Sequence, residues 1–348
     1  MRYLLLLFTL TLCLKAELFI FGDSLSDTGN IDATTGGQIP GPRYFDGRFS
    51  NGPIWIDILA AELGLSENAR AVVDGGNNYA VGGAETGALQ TQFSAMVSRE
   101  GLSGRFANND LIVIWIGGND LLNNPNADTS TMAGRVADLI QGCYIRGARR
   151  FLVNNLPDLS TVPARNQQSA QDRAVLRTAT ETFNTRLATV LTGFSQQQGD
   201  APTIFSPKVF TLLEQIQATP SPLRFVNLTG EALGETTTRA AADRYVFWDG
   251  RHPTAATHSL VGKVAARLVQ ANPRLDLAGI SGTPDRMEAI WFGNDLDGTF
   301  EFVTLDSDFR VRSIRPVFSF RSGLLVVQEP ISDSQGFFRL RRVPAAPN

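Results

Sequence analysis

The chain alternates short apolar runs with longer stretches whose apolar residues recur at three- and four-residue steps. Strand-length runs fall at "LFIF" (18–21), "NYAVGG" (78–83), "LIVIWIG" (111–117), "FLVNN" (151–155) and "TIFS" (203–206). The third and fourth are continuously hydrophobic, the pattern of strands covered on both faces in a parallel sheet. Helical spacing marks "GPIWIDILAAELGL", "TMAGRVADLIQGCYIRGA" and "VGKVAARLVQ". The longest helical stretch covers 169–198, where Leu176, Ala179, Phe183, Leu187, Val190, Leu191 and Phe194 draw one apolar stripe. Strands alternating with helices predict an α/β fold with a doubly wound, mainly parallel sheet over residues 17–271. Sites in such sheets lie beyond the carboxyl ends of the strands. By that rule Ser24 follows the first strand and Asn119 follows "LIVIWIG".

After Ala271 the pattern changes. "NPRLDLAGISGTP" (272–284) is rich in turn formers and reads as a linker. Beyond it "EAIWFG", "TFEFVTL", "FRVRSIR", "GLLVVQE" and "FFRLRRV" alternate without a helical interval. They predict a small antiparallel, β-sandwich-like module over 285–343, with 344–348 as a disordered tail. Its Arg310, Arg312, Arg315, Arg339, Arg341 and Arg342 read as a solvated strand face, the alternative being contact with a cell surface or glycan.

At the other end, "MRYLLLLFTLTLCLKA" places Arg2 before an apolar run from Tyr3 to Leu14. That run is shorter than the ~18 to 20 residues that span a bilayer and predicts a signal peptide over 1–16. The expectation is a secreted or periplasmic protein. Cys13 offers a lipoprotein alternative, against which Leu12 stands where a small residue is preferred. Cys143 is the one other cysteine, so the mature chain has no internal disulfide. Export without disulfides points to a bacterial protein held by its core, with Cys143 as a small buried helix residue.

The 348 residues suffice for one large domain and a small one. A hydrophobic share of 43% against 19% charged excludes general disorder. A net charge of −3 supplies no basic field for nucleic acid, and leaves small neutral or lipid-like substrates.

The chain has 2 histidines, His252 and His258, which rules out a zinc site built on three imidazoles. It has no H-E-x-x-H, C-x-x-C or phosphate-binding G-x-x-x-x-G-K-[ST] pattern. "GNDLDG" (293–298) lacks the first and twelfth ligands of a calcium loop and reads as a turn. No metal or cofactor is expected. Serine catalysis needs a nucleophile, an imidazole, a carboxylate to orient it and donors for an oxyanion. "FWDGRHPT" supplies Asp249 and His252 three residues apart, with Pro253 suited to the first turn of the next helix. His258 lies deeper in that helix and reads as structural. The G-x-S-x-G elbow of α/β-hydrolases is absent.

Four blocks in order resemble the GDSL family of SGNH hydrolases: "FGDSLSDTGN", "NNYAVGGAET", "GGNDL" and "DGRHPT". The resemblance covers roughly 18–271. It implies a flavodoxin-like three-layer α/β/α fold and hydrolysis of a small-molecule, lipid or acylated-glycan ester. It assigns Ser24 as nucleophile, His252 as general base and Asp249 as its partner. The oxyanion donors would be the N–H groups of Ser24 and Gly83 and the side chain of Asn119. Singly, each block also reads as a turn or a cap: Ser24 with Asp27, Gly83 in a bend, Asn119 with Asp120 in an Asx turn. Asp23 and Asp120 read as loop-shaping. The rival functions are an inactive glycan-binding or surface protein on the same scaffold, and a phosphate or flavin binder at the switch point of the sheet. "DATTGGQIPGPRYFDG", with Tyr44 and Phe45, reads as a lining for an acyl site or as a lid.

Overall fold

Runs of Leu, Ile, Val and Phe long enough for one strand, and too apolar to face water on either side, build the sheet at the centre of the protein. A computed structural model describes residues 16–101, 106–218 and 225–270 in full, and beyond them the backbone of six strands. Strands β1 (Leu18–Gly22), β2 (Leu111–Trp115), β3 (Arg150–Val153) and β4 (Thr203–Phe205) pair in parallel in the order β1-β2-β3-β4. Every residue of β1 and β2 is buried, as expected of strands covered on both faces.

The segment at 78–83, expected as a strand, is instead an irregular edge. Ile20 N–H donates to Asn77 O (3.0 Å), Tyr79 N–H to Ile20 O (2.8 Å) and Val81 N–H to Gly22 O (3.2 Å). Asn78 breaks the ladder. Its Oδ1 accepts from Ala80 N–H (3.0 Å) in an Asx turn, while its Nδ2 donates to Ser26 O (2.7 Å) on the loop after β1. Counting this edge, the order is the flavodoxin-like 2-1-3-4-5.

The helices among the described residues are α1 (Asn30–Thr34), α2 (Trp55–Leu63), α3 (Leu89–Glu100), α4 (Gly118–Asn123), α5 (Thr129–Ile145), α6 (Ala170–Gln197), α7 (Val209–Ala218), α8 (Arg239–Ala242) and α9 (Ala255–Gln270). The stops and starts follow local chemistry. Gly64 ends α2 in the left-handed region at φ 70°. Ser169 caps α6 by accepting from Asp172 N–H (3.1 Å). Helices α2 and α9 pack on each other, and α5 packs with α3 and α6, so helices flank the sheet. Trp55 of α2 meets Trp115 at the end of β2 edge to face, with ring centroids 5.2 Å apart. None of the helices among the described residues is long and apolar enough to cross a membrane.

Gly22 ends β1 opposite Trp115 of β2, and a Cβ there would lie 2.4 Å from Trp115 O. Gly22→Ala should therefore lower Tm by roughly 3 to 10 °C in a thermal melt followed by circular dichroism. An unchanged Tm would mean that the two backbones part freely.

One parallel pair was not foreseen, β5 (Asn227–Glu231) with β6 (Tyr245–Phe247). The polar "NLTGE" of β5 carries no apolar signal. Farther on lie β7 (Asp276–Thr283), β8 (Arg286–Phe292), β9 (Thr299–Leu305), β10 (Val311–Phe318), β11 (Leu324–Pro330) and β12 (Phe337–Arg342), in antiparallel sheets ordered β10-β9-β12 and β11-β8-β7. The stretch expected to be a linker (272–284) thus holds β7, whose glycines and bulge between Leu277 and Gly279 mask its alternation. Residues 1–15 of the expected leader, Cys13 among them, the stretch at 293–298 expected as a turn, the expected tail at 344–348 and the side chains of the arginines expected on one strand face lie outside the described residues.

Candidate active site

At the end of β1 the backbone of Gly22 is clamped by one side chain. Gly22 N–H donates to Gln92 Oε1 (2.9 Å) and Gln92 Nε2 donates to Gly22 O (2.7 Å). The chain then turns sharply, with Ser26 N–H and Asp27 N–H both donating to Asp23 O at 3.0 Å. Asp23 Oδ1 accepts from Leu25 N–H (3.0 Å). This turn holds Ser24, 6% exposed, at the carboxyl edge of the sheet.

The other half of the site comes from the end of β6. Trp248 N–H donates to His252 O (2.8 Å) and Thr254 N–H to Val246 O (3.0 Å), folding residues 246–254 back on themselves. Pro253, expected in the first turn of the helix, instead bridges Phe247, and α9 starts at Ala255. Inside the fold-back, Asp249 Oδ1 accepts from the N–H groups of Arg251 and His252, both at 2.8 Å. Asp249 Oδ2 lies 2.7 Å from His252 Nδ1, and His252 Nε2 lies 2.8 Å from Ser24 Oγ. Burial alone would raise the Asp249 carboxyl, yet the hydrogen bond and charge of His252 and the two backbone N–H groups bring it down to about 2.

Asn119 lies in the first turn of α4 and lines the same cavity as Ser24 and His252. One hydrogen of its Nδ2 goes to Ala84 O (2.9 Å), which ties the loop carrying Gly83 to it. Two buried acids hold that loop from either side. Asp27 Oδ2 accepts from Gly82 N–H (2.8 Å), while Asp120 accepts from Thr86 N–H (2.9 Å) and Thr86 Oγ1 (2.6 Å). Asp120 is thus the loop-shaping residue its position implied. Asp27 also accepts from the N–H groups at the start of α1, but its hold on Gly82 had no signal in the sequence. Gly83 has φ 81° and open space where a Cβ would stand, so conformation, not crowding, calls for glycine there. Gly83 does not line the cavity. Its N–H and that of Ser24 make no hydrogen bond among the described residues.

Asp23 is fully buried beside Ser24. Burial, with Asp120 and Asp27 nearby, pushes its carboxyl up to about 7 against the pull of the Leu25 N–H. A carboxyl whose folded value lies above its unfolded one stabilises the fold below the unfolded value, and that contribution is lost as pH rises through the folded one. Asp23→Asn is therefore expected to gain stability over the parent as pH rises from about 4 to about 8. Urea unfolding at both ends of that range is the check, and an identical pH dependence in the two proteins would contradict it.

Apolar side chains make up most of the cavity wall: Leu25, Leu122 and Leu159, with Leu212, Leu213 and Ile216 of α7. Neither Tyr44 nor Phe45 lines it, contrary to one reading of their loop; Tyr44 donates its hydroxyl to Asp249 Oδ2 (2.7 Å) instead. His258 is buried, with both ring nitrogens unpartnered, and burial lowers it to about 3, so it is a neutral core residue. Cys143 is buried, and burial raises its thiol far above the reactive range. Among the described residues no group of three or more His, Cys, Asp or Glu side chains is gathered to hold a metal ion.

Hydroxyl, imidazole and carboxylate joined in series at the carboxyl edge of a parallel sheet, beside an apolar cavity, define a serine-hydrolase class of protein. The family can be given: the GDSL-like Lipase/Acylhydrolase model matches residues 18–265, and the chain belongs to that family. It is 23% identical to the phosphatidylcholine-sterol acyltransferase of Aeromonas hydrophila, over 74% of this chain and 90% of that one. It is 27% identical to the thermolabile hemolysin of Vibrio parahaemolyticus, over 70% of this chain and 61% of that one. A GDSL esterase/lipase of Arabidopsis thaliana is likewise 27% identical, over 70% of this chain and 85% of its own. Among solved structures, the extracellular lipase of Streptomyces rimosus aligns with 72% of this chain and 100% of its own at 19% identity and a TM-score of 0.39. The protein is a carboxylic ester hydrolase of the GDSL esterase/lipase type.

Proposed function

We propose that the protein is an exported esterase or lipase that cleaves carboxylic esters through an acyl-enzyme on Ser24. The observation that carries this reading is the continuous hydrogen-bonded series from Ser24 Oγ through His252 to Asp249 at the wall of an apolar cavity. His252 Nε2 takes the hydroxyl proton as Ser24 Oγ attacks the ester carbonyl, and the imidazolium returns it to the departing alcohol. Water activated by the same nitrogen then releases the acid. Asp249 keeps Nδ1 protonated and stabilises the imidazolium. Negative charge on the carbonyl oxygen is met by the N–H groups of Ser24 and Gly83 and by the second hydrogen of Asn119 Nδ2. The bond from Asn119 to Ala84 O supports that grouping, since it holds Gly83 one residue from the Asn119 amide. Export rests on the leader sequence, and surface contact through the arginines of the C-terminal strands is part of the same proposal. Nothing at the site favours an inactive glycan binder.

The cavity wall favours an apolar acyl chain over an acetyl group. Across p-nitrophenyl esters from acetate upward, kcat/KM should rise by up to about fourfold per buried methylene until the cavity is filled. A maximum at acetate would turn the substrate reading toward acetylated glycans. Asn119→Ala should lower kcat on the best ester by roughly 10²- to 10³-fold with a smaller change in KM. A loss carried by KM alone would remove Asn119 from the oxyanion donors.

A further inference from the structure

The loop before α2 reaches the acid end of the catalytic series rather than the acyl cavity. Tyr44 Oη lies 2.7 Å from Asp249 Oδ2, the same oxygen that His252 Nδ1 approaches at 2.7 Å. The other carboxylate oxygen already accepts two backbone N–H groups. Tyr44 thus completes the set of four donors around the carboxylate. The tyrosine is itself held in place. Tyr44 N–H donates to Gly41 O (3.1 Å), and its ring meets Phe49 and Trp248 edge-on, each with centroids 6.2 Å away. Phe49 in turn lies 5.0 Å from the His252 ring. One loop therefore touches both the carboxylate and the imidazole.

We infer that Tyr44 is a positioning residue of this esterase, fixing the Asp249 carboxylate and drawing off part of its charge through the oxygen it shares with His252. The inference rests on the proposed roles of Ser24, His252 and Asp249. Burial, and then the charge of Asp249, raise the Tyr44 hydroxyl above its ordinary range, so it stays a donor throughout the working pH. The other ionisable groups around the series are Arg43 on the same loop and Glu231 on β5, both near Tyr44, Asp23 just after β1 and Arg251, which line the cavity with His252, and His258 on α9, near His252. None of them bonds the Asp249 carboxylate through its side chain, so among the described residues Tyr44 and His252 are the side chains bonded to it.

Tyr44→Phe keeps the ring and removes the hydroxyl. Without the competing donor, Asp249 holds the imidazolium more strongly, so the acid limb of the kcat/KM profile should move to higher pH by about half a unit. The plateau kcat should fall by roughly 5- to 20-fold with KM held within about twofold. Tyr44→Leu, which also removes the ring, should show the same limb shift together with a lower Tm. In the folded Tyr44→Phe protein the NMR resonance of the His252 Nδ1 proton should move. An unshifted acid limb in both variants, or a fall in kcat with limb and proton resonance unmoved, would overturn the inference and leave Tyr44 a packing residue. Ser24→Ala in the same assay separates the two levels. If it is inactive while Tyr44→Phe matches the parent, only the Tyr44 role fails; if it is active, the reading beneath it fails.

Discussion

Ser24→Ala should lower kcat on an aryl ester by roughly 10⁴- to 10⁶-fold while leaving fold and Tm close to those of the parent. The size follows from what is removed. Without Oγ no acyl-enzyme forms, and His252 is left to direct water at a carbonyl placed for a different attack. The stability expectation follows from the site: Ser24 Oγ is joined to His252 Nε2 and the change to alanine opens no apolar cavity. His252→Ala should fall into the same range, and Ser24→Ala with His252→Ala should be scarcely worse than either alone, since the two act as one unit. Initial-rate kinetics over matched protein concentrations check all three. A Ser24→Ala protein within tenfold of the parent would remove Ser24 as nucleophile.

Asp249→Asn is expected to cost about 10⁴-fold in kcat near neutral pH, although it changes little in shape. The reason lies in how the two oxygens are used. Oδ1 accepts from two backbone N–H groups, which fixes the oxygen of an asparagine amide at that position. The amide NH₂ must then stand where Oδ2 was, 2.7 Å from His252 Nδ1, and there it donates. Nδ1 becomes the acceptor, the proton moves to Nε2, and Nε2 points a hydrogen at Ser24 Oγ instead of a lone pair. The shape is nearly kept, but the imidazole holds the wrong tautomer and Tyr44 meets a donor in place of the oxygen it bonds. The same environment, which brings the Asp249 carboxyl down to about 2, stabilises the fold above the unfolded value near 4, and that contribution is lost as pH falls through about 2. Near-parental kcat in Asp249→Asn would show that the imidazole needs no carboxylate.

Much of this was legible along the chain because apolar runs declare buried strands directly. The central strands β1, β2 and β3 and the long stripe of α6 fall within a residue or two of where hydrophobic spacing puts them. The family blocks likewise brought Ser24, Asp249 and His252 together from positions more than 200 residues apart, and the geometry joins them. What stayed hidden rests on side chains that bond backbone across the fold. The Asx turn at Asn78 cut the expected strand at 78–83, and the hold of Asp27 on Gly82 has no local trace. Tyr44 drew notice only as an aromatic on a loop, because its partner Asp249 stands 205 positions away. β5 and β7 escaped for the opposite reason, being strands too polar or too rich in glycine to stand out from turns.

Reaction of the folded protein with a fluorophosphonate, followed by peptide mass spectrometry, tests the nucleophile most directly. The account predicts one phosphonyl group per chain, on Ser24, formed quickly in the parent and scarcely at all in His252→Ala. Absence of labelling in an intact, folded protein, or a label on another serine with Ser24 unmodified, would contradict it.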